Sequence, residues 1–184
     1  LTHGCRAAKE ALLHDGEQGS VPVIVPSRGS RLIGGSIRTE LTRDEVRITL
    51  LEGFFPQVAT SARPANRPRT GLTQLGLPYA QDAAITRHMA AFLGRQTQAT
   101  SELEGFSRAL PPGATFLHPT AVLFNGGVFK SPLLVERVSA NLNQWLQSEG
   151  APPARLLTGA DLDLAVARGA AYYGYVRRGG GVRI

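Results

Sequence analysis

The sequence predicts an α/β fold in two pieces, and three observations carry that expectation. A β-rich run at residues 21–25 and a second at 31–39 flank a turn cluster and are preceded by a short helical pattern. Further on, a short apolar run at 120–124 is broken at once by Gly126-Gly127 and followed by a helix start at Ser131-Pro132, the order of a strand, a glycine turn and a helix. The closing stretch from Leu164 to about Val176 is rich in Ala and Gly, a composition that lets a helix lie close to a sheet. The resulting division is a small α+β portion at 1–56, a basic, Pro-bearing loop at 57–76, and a larger portion at 77–184.

Taken in order, residues 5–14 read as a short helix with Cys5, Ala8, Leu12 and Leu13 available for one buried face, ending in a His14-Asp15-Gly16 turn. The runs at 21–25 and 31–39 form a hairpin, with Gly34-Gly35 marking a bulge or a close approach. Thr42 and Glu45 have capping-box spacing, in which the hydroxyl accepts from the third helical N–H and the carboxylate reaches back. The helix that follows carries Val46, Leu50 and Leu51 on one face and fades at 53–56. Asp82 caps a helix with Ile85, Met89, Phe92 and Leu93 at helical spacing, closing at Gly94, and a polar stretch fills 96–113. The run at 120–124 is the kind of strand buried on both faces in a parallel sheet. Ser131 caps the next helix, Pro132 occupies its first turn, and Leu134, Val138, Leu142, Trp145 and Leu146 form its inner stripe. Leu156-Leu157 is a short strand, and Asp163 caps the final helix.

Composition narrows the function classes. Hydrophobic residues make up 42% of the 184, the range of a globular chain. No apolar run approaches the roughly 20 residues that span a bilayer, so a membrane partner is set aside. The one cysteine, Cys5, excludes an internal disulfide framework and, with no leader pattern, points to a cytoplasmic location. The charge is +6, from 20 Lys+Arg against 14 Asp+Glu, and only Lys9 and Lys130 are lysines. The modest cluster of Arg63, Arg67 and Arg69 has no interleaved aromatic, and nucleic acid is set aside as a partner on that ground. His3, His14, His88 and His118 have no metal-ligand spacing, Glu102 and Glu104 lie in a polar stretch, and no Ser-His-Asp arrangement is visible, so neither a metal site nor a catalytic group is assigned. The start at Leu1 and the single Met89 suggest a piece of a longer polypeptide.

The chemistry lies in Ala-Val-Leu-Phe-Asn-Gly-Gly-Val-Phe-Lys-Ser-Pro, residues 121–132. Glycines let backbone N–H groups approach an anion without a Cβ in the way, and a helix N-terminus adds partial positive charge. The segment is neither a Walker A loop nor the Gly-x-Gly-x-x-Gly of a dinucleotide fold. It resembles the second phosphate loop of DnaK-type heat-shock chaperone ATPases (the heat-shock protein 70 family), in which Gly-Gly is followed by a small residue, one more residue, Arg, an apolar residue and Pro. Three other segments are similar to that family, in the same order along the chain. Cys5-Arg-Ala-Ala-Lys-Glu-Ala-Leu12 resembles its adenosine-contacting helix, Leu41-Thr-Arg-Asp-Glu-Val46 a helix start, and Asp163-Leu-Ala-Val-Ala-Arg-Gly-Ala-Ala171 the beginning of its last nucleotide-domain helix.

The resemblance implies the C-terminal lobe of an actin-like ATPase domain from a divergent bacterial member. It implies ATP or ADP at a site made by Arg6, Lys9, Gly126, Gly127, Val128, Lys130 and Asp163. Gly126 and Gly127 lie against the phosphates and ribose, Lys9 hydrogen-bonds the ribose, and Asp163 stands near the nucleoside. Lys130 replaces an arginine that stacks on adenine, and an ammonium lacks the flat guanidinium for stacking. Arg6 replaces a glutamate, Leu13 a serine that contacts adenine, and Val128 a serine beside the second glycine. Mg²⁺ and the catalytic lysine belong mainly to the opposite lobe, expected before Leu1, so the chain is not catalytic alone. Partners implied are that lobe, client proteins and co-chaperones, and exposed sheet edges favour dimerisation. Two other readings stay open, an actin-like scaffold without nucleotide and a lobe of a sugar- or acetate-kinase-like enzyme.

Overall fold

A computed structural model of the chain describes residues 2–14, 17–26, 36–65, 81–99, 110–159 and 161–182. Those residues hold five α-helices and two small two-stranded sheets, a mixed α/β structure, and the chain divides into two compact units, 1–118 and 119–184. The glycines at 34 and 35, the arginines at 67 and 69 and the glutamates at 102 and 104 lie outside the described residues.

The first unit opens with α1 (Thr2–His14), which begins three residues before the expected start and buries Ala8 and Leu12 while Cys5 is exposed. Its buried face meets an antiparallel hairpin of β1 (Ser20–Pro26) and β2 (Ser36–Thr42), registered from Ser20 opposite Thr42 to Pro26 opposite Ser36. The two-residue period aims Val21, Val23 and Val25 to one side, and Val23 is buried close to Gly4 of α1. β2 ends three residues beyond the expected 39, residues 31–35 of the expected strand lie outside the described residues, and Thr42 is at once its last residue and the cap of the next helix. The base of the hairpin is fastened by Arg43, whose Nη2 donates to the Gln18 carbonyl at 2.7 Å and whose backbone N–H donates to Gly19 O.

The capping box forms as the spacing predicts: Thr42 Oγ1 accepts from Glu45 N–H at 3.2 Å, and Glu45 Oε2 accepts from Thr42 N–H at 2.9 Å. The Thr42 N–H and the Thr42 hydroxyl, which donates to Glu45 Oε2 at 2.8 Å, hold the Glu45 carboxyl below its ordinary range. α2 (Arg43–Ile48) continues as a π-helical turn over Thr49–Phe54, and Val46, Leu51 and Phe55 are buried. The unit's other helix, α3 (Ile85–Ala99), passes Gly94 and runs five residues beyond it. Its buried face is Thr86, Ala90, Ala91 and Leu93; of the expected stripe Leu93 is buried, Met89 is half-buried, and Ile85 and Phe92 are exposed, Phe92 at 53%. Small side chains let the helix approach the 55–65 segment, where Thr86 Oγ1 donates to Pro56 O at 2.6 Å.

In the second unit, β3 (Ala121–Leu123) and β4 (Arg155–Leu157) pair in parallel, Ala121 opposite Arg155 and Leu123 opposite Leu157. The crossover between them holds a 3-10 turn (Gly127–Lys130) and α4 (Pro132–Ser148), giving a β-α-β unit. All five residues of the expected α4 stripe are buried, together with Asn141. α4 ends in a Schellman motif, with Gly150 at φ +68°, Gly150 N–H donating to Gln147 O and Ala151 N–H to Leu146 O. Asn143 Oδ1 then accepts from Ala154 N–H at 3.1 Å and aims the chain into β4. The strand at 121–123 is shorter than expected and not buried on both faces, since Leu123 is 55% exposed. Among the described residues that sheet has two strands. α5 (Ala165–Arg177) closes the unit and buries none of its residues.

Candidate functional site

The strand-to-helix connection in the second unit holds four of the seven sequence-predicted site residues, and its Lys130 meets a fifth, Asp163. Leaving β3, Asn125 turns its side chain back so that Oδ1 accepts from the Gly126 N–H at 2.8 Å. Gly126 lies at φ +89°, ψ 157°, a conformation close to glycine-only, and its carbonyl accepts from Phe129 N–H at 3.1 Å to close the turn. Phe124 and Phe129 pack across the loop with centroids 4.6 Å apart. Gly127 has no positive φ, and a Cβ placed on it would meet nothing within 4 Å. Val128 projects from the turn, 56% exposed.

Lys130 ends the 3-10 turn and its Nζ lies 2.5 Å from Asp163 Oδ1, joining the loop to the start of α5. The sequence expectation that Asp163 caps α5 is corrected here. α5 has no side-chain cap bond, and Asp161 closes the turn ahead of it, its Oδ1 accepting from Leu164 N–H at 3.0 Å and from Asp163 N–H at 3.1 Å. These N–H donors, with smaller contributions from Arg168 and Lys130, hold the Asp161 carboxyl below its ordinary range. Asp161 Oδ2 also pairs with Arg168 Nη2 at 3.1 Å. Asp163 meets Lys130 instead. The sequence pattern Asp161-Leu-Asp163-Leu offers two carboxylates two residues apart, and only the structure assigns one to the turn and the other to Lys130.

Ser131 is the N-cap residue of α4 by position, and Pro132 stands at N1 as expected, but the Ser131 hydroxyl makes no cap bond. Its Oγ is buried and finds no hydrogen-bond partner among the described residues, which costs about 1–3 kcal/mol when left so. Sequence reasoning gave Asn125, Ser131 and Asp161 no part in the site; the Asn-Gly-Gly and Asp-x-Asp spacings are the signals that could have found them.

Arg6 and Lys9 belong to α1 in the first unit. Arg6 Nε donates to Glu10 Oε1 at 2.8 Å, an exposed pair one helical turn apart that raises the Arg6 pKa through that hydrogen bond, and Lys9 is half-buried. Among the described residues, no group of three His, Cys, Asp or Glu side chains is placed to hold a metal ion, and no helix is long and apolar enough to cross a membrane.

What the loop offers chemically is an open glycine, a cation, a carboxylate and an unpartnered buried hydroxyl around one helix start. Comparison with protein-family models, with curated proteins and with solved structures finds no match to this chain.

Proposed function

We propose that the chain is the nucleotide-binding half of a DnaK-type chaperone ATPase domain, an actin-like lobe that holds ATP or ADP without hydrolysing it alone. The observation that carries the reading is the convergence of Lys130 and Asp163 beside the Gly126-Gly127 turn, 33 residues apart in sequence and joined at 2.5 Å. Gly126 is demanded by its backbone, whereas no neighbour in the structure demands glycine at 127. Close approach of a phosphate is a reason for a glycine there. The unpartnered Ser131 hydroxyl supplies a donor at the same helix start.

In this proposal Gly126, Gly127, Val128, Lys130 and Asp163 form the loop side of the site, and Arg6 and Lys9 are assigned on the resemblance of their helix alone. A second lobe of a longer polypeptide would supply Mg²⁺ ligation and the catalytic charges. The exposed β3–β4 pair, with Leu123, Leu156 and Leu157 at 55%, 48% and 36% exposure, supports a sheet completed by further strands. A cytoplasmic location, client proteins and co-chaperones follow from the same reading.

One observation favours the scaffold reading. Lys130 and Asp163 already satisfy each other, so a nucleotide must displace a formed pair to use either. Since the pair is about half to two-thirds exposed, its rupture costs no more than about 1 kcal/mol. The test is an NMR titration of the full chain with Mg-ADP, following backbone amides. Saturable shifts at Gly126, Gly127 and Asp163, lost in the Lys130→Ala/Asp163→Ala variant, are expected. Flat spectra at millimolar ADP, both here and in a longer polypeptide carrying both lobes, would leave the scaffold.

A further inference from the structure

The opposite end of the second unit carries a surface that the nucleotide reading does not use. From Leu164 to Ile184 the sequence has no Asp or Glu, and it holds Arg168, Arg177, Arg178 and Arg183, four of the chain's twenty basic residues against a net charge of +6. Three of the chain's four tyrosines, Tyr172, Tyr173 and Tyr175, fall within the same stretch. This is the interleaving of arginine and aromatic that the cluster at 63–69 lacks.

The structure gives these rings different roles. α5 ends in a Schellman motif, Gly179 N–H donating to Val176 O and Gly180 N–H to Tyr175 O, with Gly179 at φ +87° and Gly181 at +70°. The glycines fold the chain back so that Tyr172 Oη accepts from Val182 N–H at 3.1 Å and meets Val182 O at 3.3 Å. Gly180 presses on the Tyr175 ring so closely that any side chain there would overlap it. Tyr172 and Tyr175 are thus held by the returning backbone. Tyr173 is not: its ring is 64% exposed, with the Arg177 guanidinium 6.0 Å from its centroid and Arg177 Nη1 3.4 Å from its hydroxyl. Arg178 is exposed at the helix cap, whereas Arg168 is partly neutralised by Asp161.

We infer that this end of α5 binds single-stranded nucleic acid, with Tyr173 as a stacking platform for an unpaired base and Arg177 and Arg178 on the phosphates. The charge complementarity selects a polyanion, and a flat, exposed ring paired with a guanidinium selects one that can present a free base face. A duplex keeps its bases stacked and offers the ring nothing. An acidic peptide satisfies the arginines and leaves the ring unused. The ring and the guanidinium already stand together, Arg177 Nη1 lying 3.4 Å from the Tyr173 hydroxyl, so less side-chain ordering remains to be done on binding.

The experiment is fluorescence anisotropy of the full chain with a labelled single-stranded oligonucleotide of about 12 nucleotides, titrated across salt from about 50 to 200 mM. Saturable binding is expected. Arg177→Ala/Arg178→Ala should flatten the log–log salt slope by about 1.4, two phosphates at about 0.7 each on a single strand. Tyr173→Ala, at an exposed position where folding is checked by circular dichroism, should weaken binding roughly fivefold to hundredfold with the slope unchanged, and Tyr173→Phe should keep it. Lys130→Ala/Asp163→Ala should bind the oligonucleotide normally, which separates this surface from the nucleotide loop. Absence of binding at low salt overturns the inference. So does equal affinity for a duplex, heparin or poly-glutamate, or indifference to Tyr173→Ala, each of which would leave a merely cationic patch.

Discussion

Asp82 gathers three structural elements on one carboxylate. Its Oδ2 accepts from Ala65 N–H at 2.7 Å and from Arg87 Nη1 at 2.9 Å, its Oδ1 accepts from Ala84 N–H at 2.9 Å, and its carbonyl meets His88 Nε2. The Ala65 N–H, with smaller help from Ala84 and Arg87 and against the opposing effect of burial, lowers its pKa from 3.8 to about 2. Because the folded pKa is the lower one, the stabilisation is fully present above about pH 4 and is lost as pH falls toward 2. Its size is about 2 kcal/mol. Asp82→Asn should lose about that much at pH 7, and its urea midpoint should change less than the wild type's between pH 4 and pH 2. The two loop glycines separate at this scale as well. Gly126→Ala should cost about 1–3 kcal/mol in chemical denaturation because its backbone excludes a Cβ. Gly127→Ala should leave stability unchanged while erasing the Mg-ADP shifts, since a Cβ there meets only open space. The sequence showed both glycines alike, as a pair between strand and helix.

At the scale of elements, helix starts and stripes were legible where a local rule decides them. The capping box at Thr42 and Glu45 and the α4 stripe both formed as spaced, because each depends on residues three or four apart. Thr42→Ala should cost about 1 kcal/mol in denaturant stability. Leu142→Ala, at 3% exposure in the α4 stripe, should cost about 2–5 kcal/mol, measured the same way. α3 departed from its pattern for a tertiary reason. The expected stripe placed large residues inward, yet Thr86 is held against Pro56 O and Ala90 and Ala91 are buried, turning Ile85 and Phe92 outward. A short-range pattern counts apolar residues but cannot see a backbone carbonyl 30 positions away that claims one face of the helix. The final helix shows the same limit, since the expected cap Asp163 is paired with Lys130 and Asp161 closes the preceding turn.

For the whole molecule, the charge of +6 rests on arginine, with Lys9 and Lys130 the only two lysines. Acetylating both should lower the side-chain charge from +6 to +4, so cation exchange at pH 7 should still retain the chain with only a modest shift in elution salt. Release without salt would show that the arginines are neutralised by the fold. By itself the sequence determined the mixed α/β class, the strand–glycine–helix order at 121–132 and the capping box, because propensity, period and caps act within a few residues. Only the tertiary structure decided that β2 ends at Thr42, that α3 buries its small face and that the strands at 121–123 and 155–157 pair in parallel. It also decided that Lys130 meets Asp163 and that Tyr172, not Tyr173, bonds the returning backbone at Val182. Each of these depends on groups far apart in sequence coming within hydrogen-bonding or packing distance, and on backbone donors and acceptors that residue type does not reveal.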